Sequence, residues 1–166
     1  MSNPAVPEFR AVDLGNCIAI MELEMVAGQE KFLDSNAFPL AEAAYVEGFT
    51  PQAVYLDEEL IGLVSWGPYY PDYGYEQPPE AGSNIIDHVM IAAPFQGRGL
   101  GRQVVEQLVA KLAGLPECRR IVLVLHPDNT IASKLYRSIG FSQFATTHEG
   151  DLVMALDING PTSAAI

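Results

Sequence analysis

Three groups of residues in this 166-residue sequence have the types and spacing to do chemistry. The first is Gln96-Gly97-Arg98-Gly99-Leu100-Gly101-Arg102, with glycines at alternate positions between an apolar run and an amphipathic one. Glycines let a backbone approach an anion closely, and the N–H groups at a helix start point at it. The matching chemistry is pyrophosphate binding, with Arg98 and Arg102 adding positive charge. The same glycines would also serve a tight helix–strand junction with no ligand. A dinucleotide fingerprint needs GxGxxG where GxGxG stands here, and a P-loop needs a closing GK[ST] that is absent.

The second group is Asn129 and Tyr136. A phenol, with an ordinary pKa of about 10, is a candidate proton donor. Ala132 and Tyr136 are four apart and share a helix face, which places a small residue beside the phenol. The plainer alternative makes Tyr136 a core residue next to a stripe of Ile131, Leu135 and Ile139. Lys134 and Arg137 read as solvated surface.

The third group is acidic. The chain has 9 Lys+Arg against 21 Asp+Glu, a net charge of −12, divided unevenly: residues 1–90 carry 15 acids and 2 bases, and residues 91–166 carry 6 acids and 7 bases. Carboxylates steer a cation and can accept a proton. Residues 69–76 interleave Tyr69, Tyr70, Tyr73 and Tyr75 with Asp72 and Glu76, so Asp72, Tyr73 and Glu76 are candidate substrate-binding residues for a flexible polycation. Asp87 and His88 alternate on one apolar run, so one faces each side of a sheet. Either is a candidate catalytic base; His88 titrates in the useful range, although a lone strand histidine also reads as structural.

Composition sets the background. Hydrophobic residues make up 49% and charged ones 18%, which excludes a disordered acidic chain. The negative balance argues against nucleic acid or an anionic membrane as partner. The start, MSNPAVPEFR, lacks a basic stretch followed by an apolar one, and no apolar run approaches the ~20 residues of a membrane span, so a cytoplasmic protein is expected. Cys17 and Cys118 are isolated and expected to be free thiols; His88, His126 and His148 are scattered, so no metal is expected.

The elements that must hold these residues follow from periodicity. A strand is predicted over 6–12, a helix over 13–23 opened by Asp13, and a helix over 38–48 with Leu40 and Ala44 inward. A hairpin follows over 52–66, then a Pro-, Gly- and Tyr-rich loop over 67–83 and a buried strand over 84–93. Leu100, Val104, Leu108 and Leu112 mark a helix over 99–113. IVLVL at 121–125 is a second buried strand, and Asp128 would cap a helix over 129–138 ended by Gly140. Strands over 141–147 and 151–157 close the chain. The fold class is α/β (α+β): a mixed, mostly antiparallel central sheet of about six to seven strands flanked by about four helices, with one parallel pair across the helical crossover. The whole chain, 1–166, is read as a single domain with 159–166 a loose tail.

Gln96-x-x-Gly99-x-Gly101 after a buried strand, followed by Asn129-x-x-Ala132-x-x-Leu135-Tyr136-x-x-x-Gly140-Phe141, resembles the GNAT superfamily of N-acetyltransferases over residues 84–145. The resemblance implies acetyl-CoA as co-substrate, with the pyrophosphate on Gln96, Gly97, Arg98, Gly99, Leu100, Gly101 and Arg102. It implies that Val89 and Ile91 meet the pantetheine arm through their backbone, that Asn129 contacts the arm, and that Tyr136 is the general acid. A departure is Pro94, displaced by one position after Ala92-Ala93. Gln29-x-x-Phe32-Leu33-x-x-Asn36 with Leu40-Ala41-Glu42-Ala43 is similar to the bacterial diamine/spermidine N-acetyltransferase branch. That implies a small-molecule amine, polyamine or diamine, as acceptor; the superfamily resemblance implies direct transfer in a ternary complex and, because the family often forms one, a homodimer. Protein N-termini or lysines, an aminoglycoside, and a non-catalytic acyl-CoA-binding module are the other readings.

Overall fold

The structure, a computed structural model, describes residues 5–68 and 80–158. Its strands are β1 (Pro7–Ala11), β2 (Thr50–Leu56), β3 (Glu59–Pro68), β4 (Ser83–Ile91), β5 (Arg120–Leu125), β6 (Ser142–Thr146) and β7 (Leu152–Asp157), and its helices are α1 (Cys17–Met21), α2 (Ala37–Glu42), α3 (Leu100–Ala113) and α4 (Thr130–Ile139). They form one seven-stranded sheet in the order β1-β2-β3-β4-β5-β7-β6. The pairs β1/β2, β2/β3, β5/β7 and β6/β7 are antiparallel, and β4/β5 is parallel, as a helical crossover requires. Mixed class, strand number and helix number agree with the expectation from sequence.

The chain divides into two compact units, residues 1–67 with 86–108, and residues 68–85 with 109–166. In the first, Ile20, Ala53 and Leu63 form a core cluster against which Val12, Leu40, Tyr55 and Leu60 pack. Gly62 lets β3 and β4 approach, because a Cβ there would overlap the Met90 carbonyl. In the second, Val122, Val153 and Ala155 cluster with Val124 and Ala145. Helix α3 buries Leu100, Val104, Leu108 and Leu112, the four-residue repeat of the sequence.

Three predicted helices needed correction. The segment 13–23 is helical only from Cys17 to Met21. Asp13 Oδ1 accepts from the Gly15 N–H (2.7 Å) and Asn16 Oδ1 from the Asp13 N–H (2.9 Å), so polar side chains hold residues 13–16 in a turn. The segment 38–48 gives a helix only over Ala37–Glu42, and Ala44 is exposed rather than inward. Beyond Glu42, the N–H groups of Ala44 and Tyr45 bond three residues back, to Ala41 and Glu42, which turns the chain out of the helix. Helix α4 is capped by Asn129, whose Oδ1 accepts from the Ala132 N–H (3.3 Å), and not by Asp128, whose own N–H goes to His126 Nδ1 (3.1 Å). The predicted loop 67–83 is shortened at both ends by β3 and β4, and its centre, 69–79, lies outside the described residues, as does the tail 159–166. Both cysteines are free, Cys118 buried and Cys17 half-buried. Among the described residues no helix is long and apolar enough to cross a membrane.

Candidate active site

In the first unit, β4 delivers the chain into a single 3-10 turn, Ala93–Phe95, and then into the glycine turn before α3. Gly97 (φ 72°) and Gly99 (φ 76°) are left-handed, a region in which a side chain is strained. A Cβ added at Gly97, Gly99 or Gly101 would meet nothing within 4 Å. Tight helix–strand packing therefore does not explain these glycines: they keep backbone uncovered where it faces open space. Helix α3 has no acid in its first turn, so the positive end of its dipole is not offset from within the helix. The turn is a cradle of the kind a phosphate group fills.

The two arginines are engaged. Arg98 stacks over Phe95, 5.7 Å from the ring centroid, and Arg102 bonds Glu106 one turn along α3 (2.9 Å). Leu100 is buried, so only its backbone can serve a ligand. The Gln96 side chain donates from Nε2 to the Ile91 carbonyl (2.9 Å) and to Gln29 Oε1 (2.8 Å), so its amide binds protein, not the turn's open side. Ile91, expected to meet the pantetheine arm through its backbone, thus already accepts one bond at its carbonyl. The β4/β5 ladder runs over Ser83–Ile85 against Arg120–Val122, and β4 continues through Val89 to Ile91.

His88 is buried on β4, and its Nε2 lies 2.8 Å from Asn36 Oδ1. Asn36 Nδ2 donates to the Ile20 carbonyl (2.8 Å), which orients Oδ1 as the acceptor and His88 Nε2 as the donor. Burial pushes the imidazole down to about 4, so His88 is neutral near pH 7 and does not titrate in the useful range. The neutral ring is the form that can accept a proton, and with Nε2 donating to Asn36 it could do so only at Nδ1. Asp87 is half-buried and accepts from the Ser65 hydroxyl (3.3 Å) through Oδ2.

A pocket of about 430 Å³ in the same unit is lined by Met21, Met25, Met90, Glu24, Glu30 and Asn36, among others. A lining with two carboxylates and three thioethers suits a cation on an alkyl chain. Glu30 also accepts from the Gly28 N–H (2.7 Å), which fixes its carboxylate. From the sequence, Asn36 stood in a resemblance pattern but neither Glu24 nor Glu30 was singled out; no local signal distinguishes them from other surface acids. Asp72, Tyr73 and Glu76, the expected substrate residues, lie outside the described residues.

In the second unit, Tyr136 is the buried residue of α4, while Ile131 is 81% exposed, so the expected apolar stripe does not form along that face. Gly140 (φ 119°) reverses the chain after α4, and Phe141 packs edge-on against Tyr136 with centroids 5.6 Å apart. Burial raises the Tyr136 phenol to about 12, so it holds its proton throughout the neutral range.

The chain is similar to known acetyltransferases. Residues 18–141 match the acetyltransferase (GNAT) family model. A Bacillus subtilis (strain 168) spermine/spermidine N(1)-acetyltransferase is 30% identical over 133 residues, covering 80% of this chain and 86% of that protein. Among solved structures, an aminoglycoside acetyltransferase in complex with coenzyme A superposes with a TM-score of 0.77 at 22% identity, covering 91% of this chain and 94% of that one. A spermidine N-acetyltransferase from Vibrio cholerae in complex with CoA and spermine superposes with a TM-score of 0.70 at 16% identity, covering 92% and 95%. With its family match running from α1 to the end of α4, the chain belongs to the acetyltransferase (GNAT) family.

Proposed function

We propose that this protein transfers the acetyl group of acetyl-CoA to a primary amine of a small molecule, polyamines and diamines favoured, by direct attack in a ternary complex. The observation that carries the reading is the cradle: left-handed Gly97 and Gly99, an unobstructed Gly101, and a helix start lacking any acid. Those features fit a pyrophosphate held by backbone N–H groups from Gly97 to Arg102. The backbone of β4 around Val89 and Ile91 would take the pantetheine arm, with Asn129 at the start of α4. Tyr136 gives its proton to the departing thiolate; its buried phenol is held neutral until then.

For the acceptor, Glu24 and Glu30 attract the ammonium and the methionines take its alkyl chain. The proton-accepting role falls to Asp87, to one of these two glutamates, or to His88 through Nδ1, since its Nε2 donates to Asn36. The relative that acts on spermine and spermidine supports the polyamine reading, as does the acidity of residues 1–90. The same proposal takes residues 1–166 as one domain acting in the cytoplasm, as a homodimer, on a small molecule, with no metal, nucleic acid or membrane partner. The similarity to the aminoglycoside enzyme makes an aminoglycoside the second acceptor to consider.

The test is thiol release from acetyl-CoA with spermidine, spermine, short diamines and kanamycin as acceptors. Spermidine or a diamine should give the highest kcat/KM. Turnover confined to kanamycin would replace the acceptor, and cofactor binding without turnover on any amine would leave only an acyl-CoA-binding module.

A further inference from the structure

The Gln96 side chain bonds away from the cradle, and the residue it meets lies 67 positions earlier in the chain. Gln96 Nε2 donates to Gln29 Oε1 (2.8 Å) and Gln29 Nε2 donates to Gln96 Oε1 (2.9 Å), a closed pair of amides, both part-buried. Gln96 immediately precedes Gly97, the first left-handed residue of the cradle. Gln29 lies in the connection between α1 and α2, next to Glu30 and two residues from Ala27, both of which line the acidic pocket. This connection is held at a second point, where the Ala93 N–H donates to the carbonyl of Glu24, another pocket residue (2.8 Å). It is also braced internally: the Gln29 N–H donates to Val26 (3.1 Å) and the Phe32 N–H to Gln29 (2.9 Å). One wall of the pocket is therefore fastened to the segment that leads into the cradle.

We propose that the Gln29–Gln96 amide pair couples the two substrate sites, so that filling the cradle with a pyrophosphate tightens the wall of the amine pocket and each substrate raises the affinity for the other. The inference rests on the function proposed above and goes beyond it by assigning Gln29 as a positioning residue. A doubly bonded amide pair fixes both side-chain conformations. A turn ordered by a bound polyanion then orders Gln96, and through it the backbone on either side of Gln29. Coupling of binding is reciprocal by thermodynamic necessity, so both affinities must change by one factor.

The experiment measures spermidine binding by calorimetry with and without saturating CoA, and CoA binding with and without spermidine, for the wild type and Gln29→Met. Methionine keeps the length of the side chain and removes both bonds. The wild type is expected to bind spermidine about 5-fold or more tighter with CoA present, and CoA tighter by the same factor with spermidine present. In Q29M that factor should fall towards 1, CoA affinity without amine should stay within about 2-fold, and KM for spermidine should rise with little change in kcat. A merely structural tie would leave the coupling factor unchanged while lowering stability. A wild-type factor of 1, or a Q29M factor equal to the wild type, overturns the proposal. Should Q29M fail to fold, Gln29→Glu, which retains one of the two bonds, decides: an intermediate factor supports the coupling and an unchanged one overturns it. Absence of CoA binding by the wild type would instead sink the function itself, whereas turnover of spermidine with coupling indifferent to Gln29 sinks only this inference.

Discussion

Replacing Gly101 with Glu should strengthen the fold and weaken the cofactor site at once. A Cβ at Gly101 meets nothing within 4 Å, so the substitution carries no packing penalty, and the residue's φ is not left-handed. Helix α3 gains a better helix former near its start and an acid in a first turn that has none, together about 1 kcal/mol. For a protein of this size that raises Tm by about 2–4 °C. The cofactor effect has the opposite sign. A carboxylate about 5 Å from a pyrophosphate bearing about two negative charges, at an effective dielectric of about 40, is repelled by about 3 kcal/mol, or about 100-fold in affinity. Thermal unfolding of the ligand-free protein and calorimetric titration with acetyl-CoA read the two effects separately. The loss of affinity should shrink at high salt. Unchanged acetyl-CoA affinity would refute the cradle, and a Tm lowered by several degrees would refute the open space beside Gly101.

Tyr136→Phe should lower kcat by about 100-fold or more with acetyl-CoA affinity unchanged, because the ring stays and only the proton-donating hydroxyl is removed; equal losses in both would reduce Tyr136 to a packing residue. His88 gives a pH signature in stability. Its folded-state value of about 4 lies below the unfolded 6.5, so the unfolded chain binds the extra proton between those values and stability falls as pH drops through that window. The contribution lost from pH 7 to 5 is about 2 kcal/mol, so the stability difference between wild type and His88→Gln should narrow by that amount in denaturant titrations. An unchanged difference would place His88 in contact with water. Glu24→Gln and Glu30→Gln should each raise the spermidine KM by about 2- to 5-fold, more at low salt, without altering acetyl-CoA affinity; no change in either variant would move the amine out of this pocket.

What could be read from the sequence was local and periodic. The four-residue spacing from Leu100 to Leu112 defined α3, the run IVLVL defined β5, and glycines before a helix start defined the turn that leads into it, because each depends only on neighbours along the chain. The motif around Tyr136 was legible for the same reason: Gly140 and Phe141 lie within one turn of the helix end that they close. Local competition was harder to weigh. Asp13 and Asn16 favour helix starts, yet their side chains hold a turn and delay α1 to Cys17. Tertiary structure alone decided the rest. Whether the glycines serve packing or a ligand depends on what surrounds a missing Cβ, and no residue does within 4 Å at three positions. Whether His88 is a base or a fixed donor depends on Asn36, 52 residues away, and on burial by the intervening chain. The tie from Gln29 to Gln96 spans 67 residues and leaves no periodicity to find. Spacing along a chain encodes backbone conformation and facing; hydrogen-bond partners and desolvation are set by whichever distant residues the fold brings to the same place.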